Sequence, residues 1–529
     1  MRSSAATTCR NVLCVFPRYA PSFGTFEYAY PIVGVKAFMP PQGILLIAAY
    51  LPESWGVRFV DENVRRASPA DFQWADAVFV SGMHIQRPQI EDINRRAHLA
   101  GRVTVLGGPS VSGCPEYYPD FDYLHVGELG DATDELIARL ERSVARPVQQ
   151  VRLETKERLP LADFPLPAYH HLDVSQYFLG SVQFSSGCPY RCEFCDIPEL
   201  YGRNPRLKTP EQIVAELDVI LANGGDQRAI YFVDDNFVGN RKAAKELLPH
   251  LIAWQRRNGF AVQLACEATL NIAKSPELLE MMREAYFCTI FCGIETPDPQ
   301  ALHAMAKDQN NMMPVMEALR IIHSYGIEVV SGIIMGLDSD TPQTADRILD
   351  FIEDSNIPLL TINLLQALPR TPLYRRLQAE GRIVEEPGRE SNVDFKLPYD
   401  QTVAMWRRTF STAYRPEAIY RRFAYHVDHV FPKRIKPPAS KQRVNPRNIR
   451  YAIGLLANLF VRVGVLSDYR DVFWKMARKA LAKGDVESLI HVGLVSHHLI
   501  TFAREAGAGR RNASFYSENL PGAELIEAS

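Results

Sequence analysis

Short runs of apolar residues alternate with amphipathic stretches through the first part of the chain. Four of these runs have the length and composition of buried strands, namely residues 12–16, 57–60, 77–80 and 103–106. The stretch before the fourth run, residues 90–100, has apolar residues at helical spacing. Strands that alternate with helices predict a parallel sheet with helices on both faces, so we expect an α/β domain over residues 10–146.

A second alternating series predicts another α/β domain over residues 176–385. Its strand-like runs are residues 181–185, 229–233, 261–265, 288–292, 328–334 and 359–364. Thr209-Pro210 is a typical helix start between two of them, because a capping residue precedes proline at the first helical position. Repeated strand–helix units of this length predict a full or partial (β/α) barrel. The proline-containing stretch 147–175 is predicted to be a linker between the two domains.

The last part of the chain, residues 386–529, predicts a helical domain. Its helical patterns cover residues 451–465, 472–482 and 486–502. The apolar stretch 449–461 is bracketed by arginines, among them Arg450 and Arg462. Such a segment is most often the core helix of a small helical domain, but it also has the character of a helix that lies on a membrane surface or lines an apolar substrate pocket.

Composition restricts the class of protein. The chain has 529 residues, of which 47% are hydrophobic and 23% charged, and its formal net charge is -2. This balance is ordinary for a globular protein and does not predict a nucleic-acid partner. The N-terminal apolar run is too short for a signal peptide, and no run reaches the ~20 uninterrupted apolar residues of a membrane span. We therefore expect a cytoplasmic protein whose contact with the inner membrane surface, if any, is peripheral.

Three of the nine cysteines stand close together and carry the strongest chemical signal in the sequence. Cys188, Cys192 and Cys195 have the spacing CxxxCxxC directly after a predicted strand. Cysteine thiolates are the usual ligands of iron–sulfur clusters, and three of them on a four-iron cluster leave one iron open for a substrate. A structural zinc site is the alternative, but it needs four ligands in separated pairs, and His170 and His171 do not have that spacing.

The CxxxCx-aromatic-C motif, placed after the first strand of a (β/α) domain, resembles the signature of the radical S-adenosylmethionine (SAM) enzymes. The resemblance implies that the three cysteines bind a [4Fe-4S] cluster. It also implies that the open iron binds the amino and carboxylate groups of SAM, and that reduction of the cluster by one electron cleaves SAM to start radical chemistry. Phe194, the aromatic residue of the motif, is expected to lie close to the adenine of SAM.

Further motifs that resemble those of the same family follow in the expected order. Asp234-Asp235-Asn236 replaces the commoner Gly-Gly-Glu and is typical of members with an N-terminal cobalamin domain, although a polar turn at a strand end would give the same pattern. Glu295 stands in a motif whose glutamate contacts SAM in the family. Two glycines stand in a segment whose backbone lies against the adenine. The resemblance therefore assigns SAM binding to Asp234, Asp235, Asn236, Glu295, Gly332 and Gly336.

The N-terminal domain is most similar to the Rossmann-like cobalamin-binding domain of this family's second class. Ligands of an open parallel sheet bind beyond the carboxyl ends of its strands, and glycines there let a large cofactor approach the backbone. The cobalamin-binding residues expected on this basis are Ser81, Gly107, Gly108, Gly127 and Glu128.

The lower face of the corrin is less well defined by the sequence. The turn 61–66 lacks the histidine that ligates cobalt in many cobalamin proteins. His84 is either a hydrogen-bonded loop residue, which is the commoner case, or a residue that faces the lower side of the corrin. A nucleotide-binding domain is the alternative to a cobalamin domain, but the first strand lacks the G-x-G-x-x-G fingerprint.

The motifs together resemble the cobalamin-dependent, or class B, radical SAM methyltransferases, in which a radical SAM partial barrel follows the cobalamin-binding domain. The resemblance implies transfer of a methyl group to an unactivated carbon of a hydrophobic substrate, and a subgroup that methylates ring A of hopanoid lipids is the most similar. It implies three cofactors, the [4Fe-4S] cluster, SAM and cobalamin, and an external electron donor such as flavodoxin or ferredoxin. Enzymes with the same two domains also catalyse rearrangements or cyclisations, such as tetrapyrrole ring closure, and this alternative stays open.

Overall fold

Two parallel sheets follow one another along the chain, and a group of helices follows them. The structure is a computed structural model of the chain and describes residues 10–225, 229–384, 386, 389–438 and 444–514. The first sheet is a doubly wound α/β layer, the second is an open partial barrel, and the last region is helical. This order confirms the fold class predicted from the sequence.

The first sheet consists of six parallel strands. These are β1 Asn11–Phe16, β2 Gly56–Asp61, β3 Ala77–Ser81, β4 Val103–Gly107, β5 Tyr123–Val126 and β6 Val151–Glu154, in the spatial order β2-β1-β3-β4-β5-β6. The residues of β1 alternate between the faces, so that Leu13 and Val15 pack in one hydrophobic cluster and Val12 and Cys14 in another. The helices of this domain are α1 Tyr30–Val33, α2 Gln42–Tyr50, α3 Pro69–Trp74, α4 Arg87–Leu99, α5 Pro109–Gly113 and α6 Asp131–Arg142.

The region predicted to be a linker supplies the sixth strand of this sheet. β6 pairs with β5 in parallel, with Val151 beside Tyr123. Val151 and Leu153 pack against the core, whereas Arg152 and Glu154 are exposed. An edge strand with only two apolar residues gives too weak a pattern to be recognised among the prolines that follow it.

Eight strands occur among the described residues of the second region. These are β7 Leu179–Val182, β8 Ser185–Ser186, β9 Arg206–Leu207, β10 Ala229–Phe232, β11 Leu264–Glu267, β12 Phe287–Glu295, β13 Glu328–Met335 and β14 Leu360–Leu364. Six of them form a parallel sheet in the order β7-β10-β11-β12-β13-β14, while β8 and β9 form a separate antiparallel pair. Each barrel strand neighbours the next along the chain and the two outer strands do not pair, so the sheet is a partial barrel.

Helices connect these strands in the usual βα alternation. They are α7 Ile197–Leu200, α8 Pro210–Ala222, α9 Arg241–Arg257, α10 Pro276–Glu284, α11 Pro299–Ala304, α12 Val315–Ser324, α13 Thr344–Ser355 and α14 Pro372–Ala379. α8 begins as its sequence predicts: the Thr209 side chain caps it by accepting a hydrogen bond from the Gln212 N–H, and proline follows the cap.

Several side chains on one face of the barrel sheet are partly accessible to solvent. Tyr231, Glu267, Phe291, Ile334 and Asn363 are partly exposed, although the residues on either side of each are buried. The strand register places Glu267 beside Phe291 and Ile334 beside Asn363, so these side chains share a face of the sheet. We call the five residues the lumen face, since they point to the inside of the barrel.

The described part of the last region contains five α-helices. They are α15 Tyr399–Ala413, α16 Pro416–His429, α17 Pro446–Leu459, α18 Arg470–Ala482 and α19 Val486–Gly507, and a π-helical turn, Phe460–Val465, extends α17. The sequence pattern predicts the last three but misses α15 and α16, because their buried faces include polar residues such as Thr402, Thr409 and Arg422. Among the described residues, α19 is long and apolar enough to cross a membrane, but 67% of the stretch is buried inside the fold. It is a core helix of this region.

The chain between β1 and α2 connects the first domain to the helical region. Phe23 packs against three aromatic rings there, with ring centroids 5.7 Å from Phe410, 5.2 Å from Tyr414 and 4.7 Å from Phe502. Contacts of this kind contribute stability beyond the apolar area they bury. The first domain is therefore anchored to the last region as well as to the barrel.

Candidate functional site

The three cysteines lie on a loop that a short strand pair closes. β8 and β9 pair antiparallel and enclose residues 187–205 between them. Gly187 has a φ of 99°, and a Cβ there would lie 2.8 Å from the Gly202 carbonyl oxygen, so only glycine fits at this position. The backbone N–H of Cys188 donates to the same oxygen at 3.2 Å. The chain thus turns sharply just before the first cysteine.

The cysteine side chains fit an iron–sulfur cluster. Cys188, Cys192 and Cys195 are free and partly exposed. Burial raises the pKa of the Cys188 and Cys195 thiols, so these groups stay protonated unless a metal replaces the proton. Three thiols on one loop suit a cluster, in which each thiolate binds a different iron, whereas a structural zinc ion needs four ligands.

Asn236 gives a second sign that the loop holds a ligand. Its side chain is 2% exposed, and neither amide atom has a hydrogen-bond partner among the described residues. The side chain lies within reach of the Cys188 thiol. Buried amides are normally satisfied, so an orphaned amide beside the first cysteine indicates a group that the protein binds here.

The two aspartates that follow β10 hold the same loop. Asp234 is 1% exposed and accepts hydrogen bonds from the Phe184 N–H at 3.1 Å, from the Ser185 hydroxyl at 2.5 Å and from the Ser185 N–H. Asp235 is partly exposed and accepts from the Gly187 N–H at 2.8 Å. Burial raises the pKa of Asp234 to about 6 and that of Asp235 to about 7. Asp234 is therefore committed to the loop and not open to SAM, unlike the expectation from its motif, whereas Asp235 stays accessible.

Glu295 is held in a strained conformation at the end of β12. Its φ is 68°, in the left-handed region, and the strand register shifts between Gly293 and Glu295. Its carboxylate accepts a hydrogen bond of 2.5 Å from the Lys307 ammonium, and both side chains are buried. Backbone strain of this kind is concentrated at functional sites, where the surrounding structure holds it in place.

Lys307 brings the predicted SAM residues together. Its ammonium lies 5.4 Å from the ring centre of Phe194, the aromatic residue of the cysteine motif. Burial lowers the pKa of Lys307, but Glu295 and the nearby cysteines outweigh that effect and raise it, so the ammonium is charged. A buried ion pair next to an aromatic ring offers both a charged group and a stacking surface to a ligand such as SAM.

The two predicted glycines have different surroundings. A Cβ at Gly332 would lie 3.5 Å from the Phe291 ring and 3.6 Å from the Glu295 carboxylate, so Gly332 faces the site. Gly336 has a φ of 90°, and a Cβ there would lie 2.5 Å from the Phe395 ring. Phe395 covers the side of Gly336 on which a side chain would stand, so the turn after β13 requires glycine, and contact of this backbone with adenine stays a prediction.

Four of the predicted cobalamin residues lie where the first sheet should bind a ligand. Ser81, Gly107 and Gly127 stand at the carboxyl ends of β3, β4 and β5, and Gly108 follows β4. Gly108 has a φ of 93°, and a Cβ there would lie 2.5 Å from the Ser81 hydroxyl oxygen. At Gly107 the nearest side-chain atom to a Cβ is 4.0 Å away, in His125. The backbone at this edge therefore has free space beside Gly107, where a large flat ligand such as a corrin would approach, whereas Gly108 is held against Ser81.

Glu128 does not share that environment. Its carboxylate accepts a hydrogen bond from the Ser186 hydroxyl at 3.0 Å, binds the Arg206 guanidinium and lies 3.3 Å from Arg158. Ser186 directly precedes the cysteine loop, so Glu128 joins the first domain to that loop. Two guanidiniums surround the carboxylate in the structure, so its observed role is this link, and binding of cobalamin by Glu128 stays a prediction.

His84 is a packed loop residue. Its Nδ1 lies 3.0 Å from the Ser110 hydroxyl oxygen, and a Cβ at Gly113 would lie 2.9 Å from its Nε2. Burial, with a smaller effect of Arg87, lowers the pKa of His84 to about 4, so the ring is neutral. Nδ1 is hydrogen-bonded and Nε2 faces the backbone of α5, which matches the commoner of the two interpretations.

Several residues near the site escape sequence reasoning. Gln309 donates its amide N–H to the Cys192 sulfur at 3.3 Å, and Lys307 precedes it in the same segment, but neither belongs to a motif. On the lumen face, the Tyr231 hydroxyl donates to Glu267 at 3.4 Å. Burial, followed by repulsion from Asp235, raises the pKa of Glu267 to about 8, so this carboxyl is mostly neutral at pH 7. Only the position of Glu267 at a strand end could have drawn attention to it.

Known proteins resemble this chain in sequence and in fold. The radical SAM superfamily matches residues 182–352, and a domain of unknown function, DUF4070, matches residues 371–512. The chain is 61% identical to the hopanoid C-2 methylase of Rhodopseudomonas palustris over 98% of both chains. It is 36% identical to an uncharacterized methyltransferase of Synechocystis, over 71% of this chain and 70% of that one.

A solved structure with the same domain arrangement supports the fold. The cobalamin-dependent SAM radical enzyme OxsB, with aqua-cobalamin and SAM bound, aligns with a TM-score of 0.60 over 96% of this chain and 85% of its own, at 15% identity. That likeness concerns the fold alone. The cysteine loop, the superfamily match and the identity over nearly the whole length lead to one conclusion: this chain is a radical SAM enzyme that belongs to the family of the hopanoid C-2 methylase.

Proposed function

We propose that this protein is a cobalamin-dependent radical SAM methylase that adds a methyl group to carbon 2, in ring A, of a hopanoid lipid. The observation that carries the proposal is the 61% identity, over 98% of both chains, to a hopanoid C-2 methylase. The site residues support it, since the cysteine loop and the open edge of the first sheet suit two different cofactors. The same observation favours methylation over a cyclisation or rearrangement.

Each part of the site has a role in this chemistry. When bound, the cluster and SAM supply a radical that abstracts a hydrogen atom, and cobalamin supplies the methyl group. Cys188, Cys192 and Cys195 hold the cluster and leave one iron for SAM. We assign the charged groups of SAM to Asp235, which is partly exposed, and to Glu295, which is paired with Lys307, and we assign the adenine to the Phe194 ring beside that pair.

Substrate and corrin are assigned to two further surfaces. We assign the corrin to the edge of the first sheet at Ser81, Gly107 and Gly108, where the backbone of Gly107 has free space beside it. On the lumen face, Phe291 and Ile334 offer apolar contacts that suit a polycyclic hydrocarbon, and Tyr231, Glu267 and Asn363 add a few polar groups that could orient it.

The proposal can be tested with purified enzyme. Reconstituted protein with SAM, cobalamin, a reductant and a hopanoid should yield the hopanoid with one added methyl group, together with 5′-deoxyadenosine. The variant Cys192→Ala should yield neither product, because the cluster loses a ligand. Deoxyadenosine without methylated hopanoid, under conditions in which a tetrapyrrole or another acceptor is altered, would reject the substrate assignment.

A peripheral membrane contact fits one face of the last region. Ile449, Ile453, Val461 and Val465 are spaced by multiples of four along α17 and its π-helical extension, and they are 48%, 63%, 52% and 59% exposed. No acidic residue occurs between 444 and 466, whereas three arginines do. An exposed apolar stripe with a basic border suits an anionic bilayer surface, so we place the membrane contact on this stripe, the α17 face.

The electron donor is assigned to the exposed side of the cysteine loop. Arg191 and Arg203 are exposed there, and the Arg203 guanidinium donates to the Pro189 carbonyl oxygen at 3.2 Å. Glu193 and Glu199 of the same loop are paired with Arg376 and Arg375, so the two exposed arginines would attract an acidic flavodoxin or ferredoxin. Changing both arginines to Glu should weaken reduction by flavodoxin but not by dithionite, and an equal loss with both reductants would contradict the assignment.

A further inference from the structure

The chain between α11 and α12 folds back over the cysteine loop. The Met305 carbonyl oxygen accepts a hydrogen bond from the Glu193 N–H at 2.9 Å, inside the cysteine motif. The Asn310 amide donates to the carbonyl oxygens of Gly293 at 2.9 Å and Ile294 at 3.3 Å, on β12. The segment 305–310 is thus fixed at both ends, between the cluster loop and the strand that carries Glu295.

Gln309 lies in the middle of this fixed segment and contacts a predicted cluster ligand. Its side-chain N–H donates to the Cys192 sulfur at 3.3 Å, and the residue is 7% exposed. The burial of Gln309 keeps its amide away from bulk water. Lys307, two residues earlier, is paired with Glu295, and its charge also interacts with Cys192.

A hydrogen bond to a cluster ligand changes how easily the cluster accepts an electron. One-electron reduction adds a negative charge that spreads over the irons and their thiolate ligands. N–H donors stabilise that extra charge, and hydrogen bonds to the sulfurs are among the main factors that set the potentials of such clusters. The cluster of a radical SAM enzyme must be reduced by a cellular electron donor. A hydrogen bond that raises the reduction potential of the cluster therefore makes this step more favourable.

We propose that Gln309 is a positioning residue that raises the reduction potential of the cluster through its hydrogen bond to Cys192. The inference rests on the proposed cluster, but not on the identity of the methyl acceptor. A wrong role for Gln309 and a wrong substrate assignment can therefore be distinguished, because the reduction potential can be measured without any hopanoid.

The test is an electrochemical titration of the reconstituted protein, followed by the electron paramagnetic resonance signal of the reduced cluster. Gln309→Met keeps the length of the side chain but removes the donor, so the midpoint potential should fall. Gln309→Glu replaces the donor by a carboxylate of the same shape, so the potential should fall further. Iron and sulfide content should equal that of the unchanged protein in both variants.

The matched control is Asn311→Leu in the same segment. Asn311 is exposed, and its amide donates to the Pro299 carbonyl oxygen at 3.0 Å, away from the cysteines. This variant should keep the potential of the unchanged protein. Two results would overturn the proposal: an unchanged potential in both Gln309 variants with full cluster content, or loss of iron from both, which would make Gln309 a structural support of the loop.

Discussion

Asp234 and Asp235 are adjacent in the chain, and the structure gives them different surroundings. Asp234 is buried behind the cysteine loop with donors from Phe184 and Ser185, while Asp235 is partly exposed. The motif identified the residues near the site because cofactor chemistry restricts residue type at strand ends. The motif does not indicate which of the two carboxylates accepts hydrogen bonds from the backbone. That choice depends on the conformation of the loop 183–187, which is set by contacts between residues distant in sequence.

For this residue we predict that Asp234→Asn lowers both the free energy of unfolding and the amount of cluster that the protein binds. An amide presents one acceptor atom where three donors now meet a carboxylate, so at least one buried donor is left unsatisfied, which costs about 1–3 kcal/mol. We expect the free energy of unfolding to fall by that amount and the iron content to drop, measured by urea unfolding and iron analysis. Asp350→Asn, at an exposed site on α13, is the control, and full iron content in the Asp234 variant would contradict the assigned role.

Among the elements, those with strong periodic patterns were predicted and those with mixed faces were not. Every barrel strand was recognised, although the first lies at Leu179–Val182 rather than at 181–185 and the third at Leu264–Glu267 rather than at 261–265. β6 was missed because a four-residue edge strand carries little apolar pattern, and α15 and α16 because their buried sides contain threonine and arginine. α17 was recognised, but which of its faces packs depends on helices that meet it only in three dimensions.

The orientation of α17 decides which substitutions affect the proposed membrane contact. Leu455 is 7% exposed, and the Phe460 ring stacks on Trp474 with centroids 5.1 Å apart, so both residues belong to the packed side. A charge at Leu455 would destabilise the fold rather than report on membrane binding. The informative positions are on the opposite side, at Ile453 and Val461.

We therefore predict that the double variant Ile453→Asp/Val461→Asp binds anionic vesicles at least about tenfold more weakly. Two exposed apolar side chains are lost and two like charges face the lipid phosphates, while the packed side is untouched. Co-sedimentation with vesicles of phosphatidylcholine and phosphatidylglycerol measures the effect. Leu99→Asp, at a 78% exposed leucine on α4, is the matched control. Vesicle binding by the double variant equal to that of the unchanged protein, or an equal loss of binding in the control, would show that the α17 face does not bind the membrane.

In the whole molecule, the two proposed cofactor sites lie on separate sheets, and contacts between the domains must hold one site in a fixed position relative to the other. The sequence predicted both domains and their order, since each has its own hydrophobic pattern. It did not predict their contacts, because those are single side-chain pairs between residues far apart in the chain. Glu128 with Ser186 and Arg206, and the Arg370 guanidinium with the Ser112 carbonyl oxygen at 3.0 Å, are such contacts.

We predict that Glu128→Gln separates SAM cleavage from methyl transfer. The amide keeps the size of the side chain but loses the charge that binds Arg206 and Arg158, so the cysteine loop and the first sheet lose alignment. Misalignment of about 1 Å costs up to about a hundredfold in rate, so the ratio of 5′-deoxyadenosine to methylated product should rise on the order of tenfold or more. Glu135→Gln, which alters an exposed pair with Arg139 on α6, should leave the ratio unchanged. A Glu128 variant with an unchanged ratio would show that this link does not set the alignment.

The most direct test of the proposed function follows the methyl group into the lipid. The gene would be deleted from its host and restored, and both strains would be grown with methionine that carries a trideuterated methyl group. We predict that ring A of the hopanoids gains one methyl group only in the restored strain, and that mass spectrometry finds all three deuterium atoms in it, since transfer through cobalamin leaves the methyl C–H bonds intact. Identical hopanoids in both strains, with a different metabolite gaining the labelled methyl group, would contradict the proposed function.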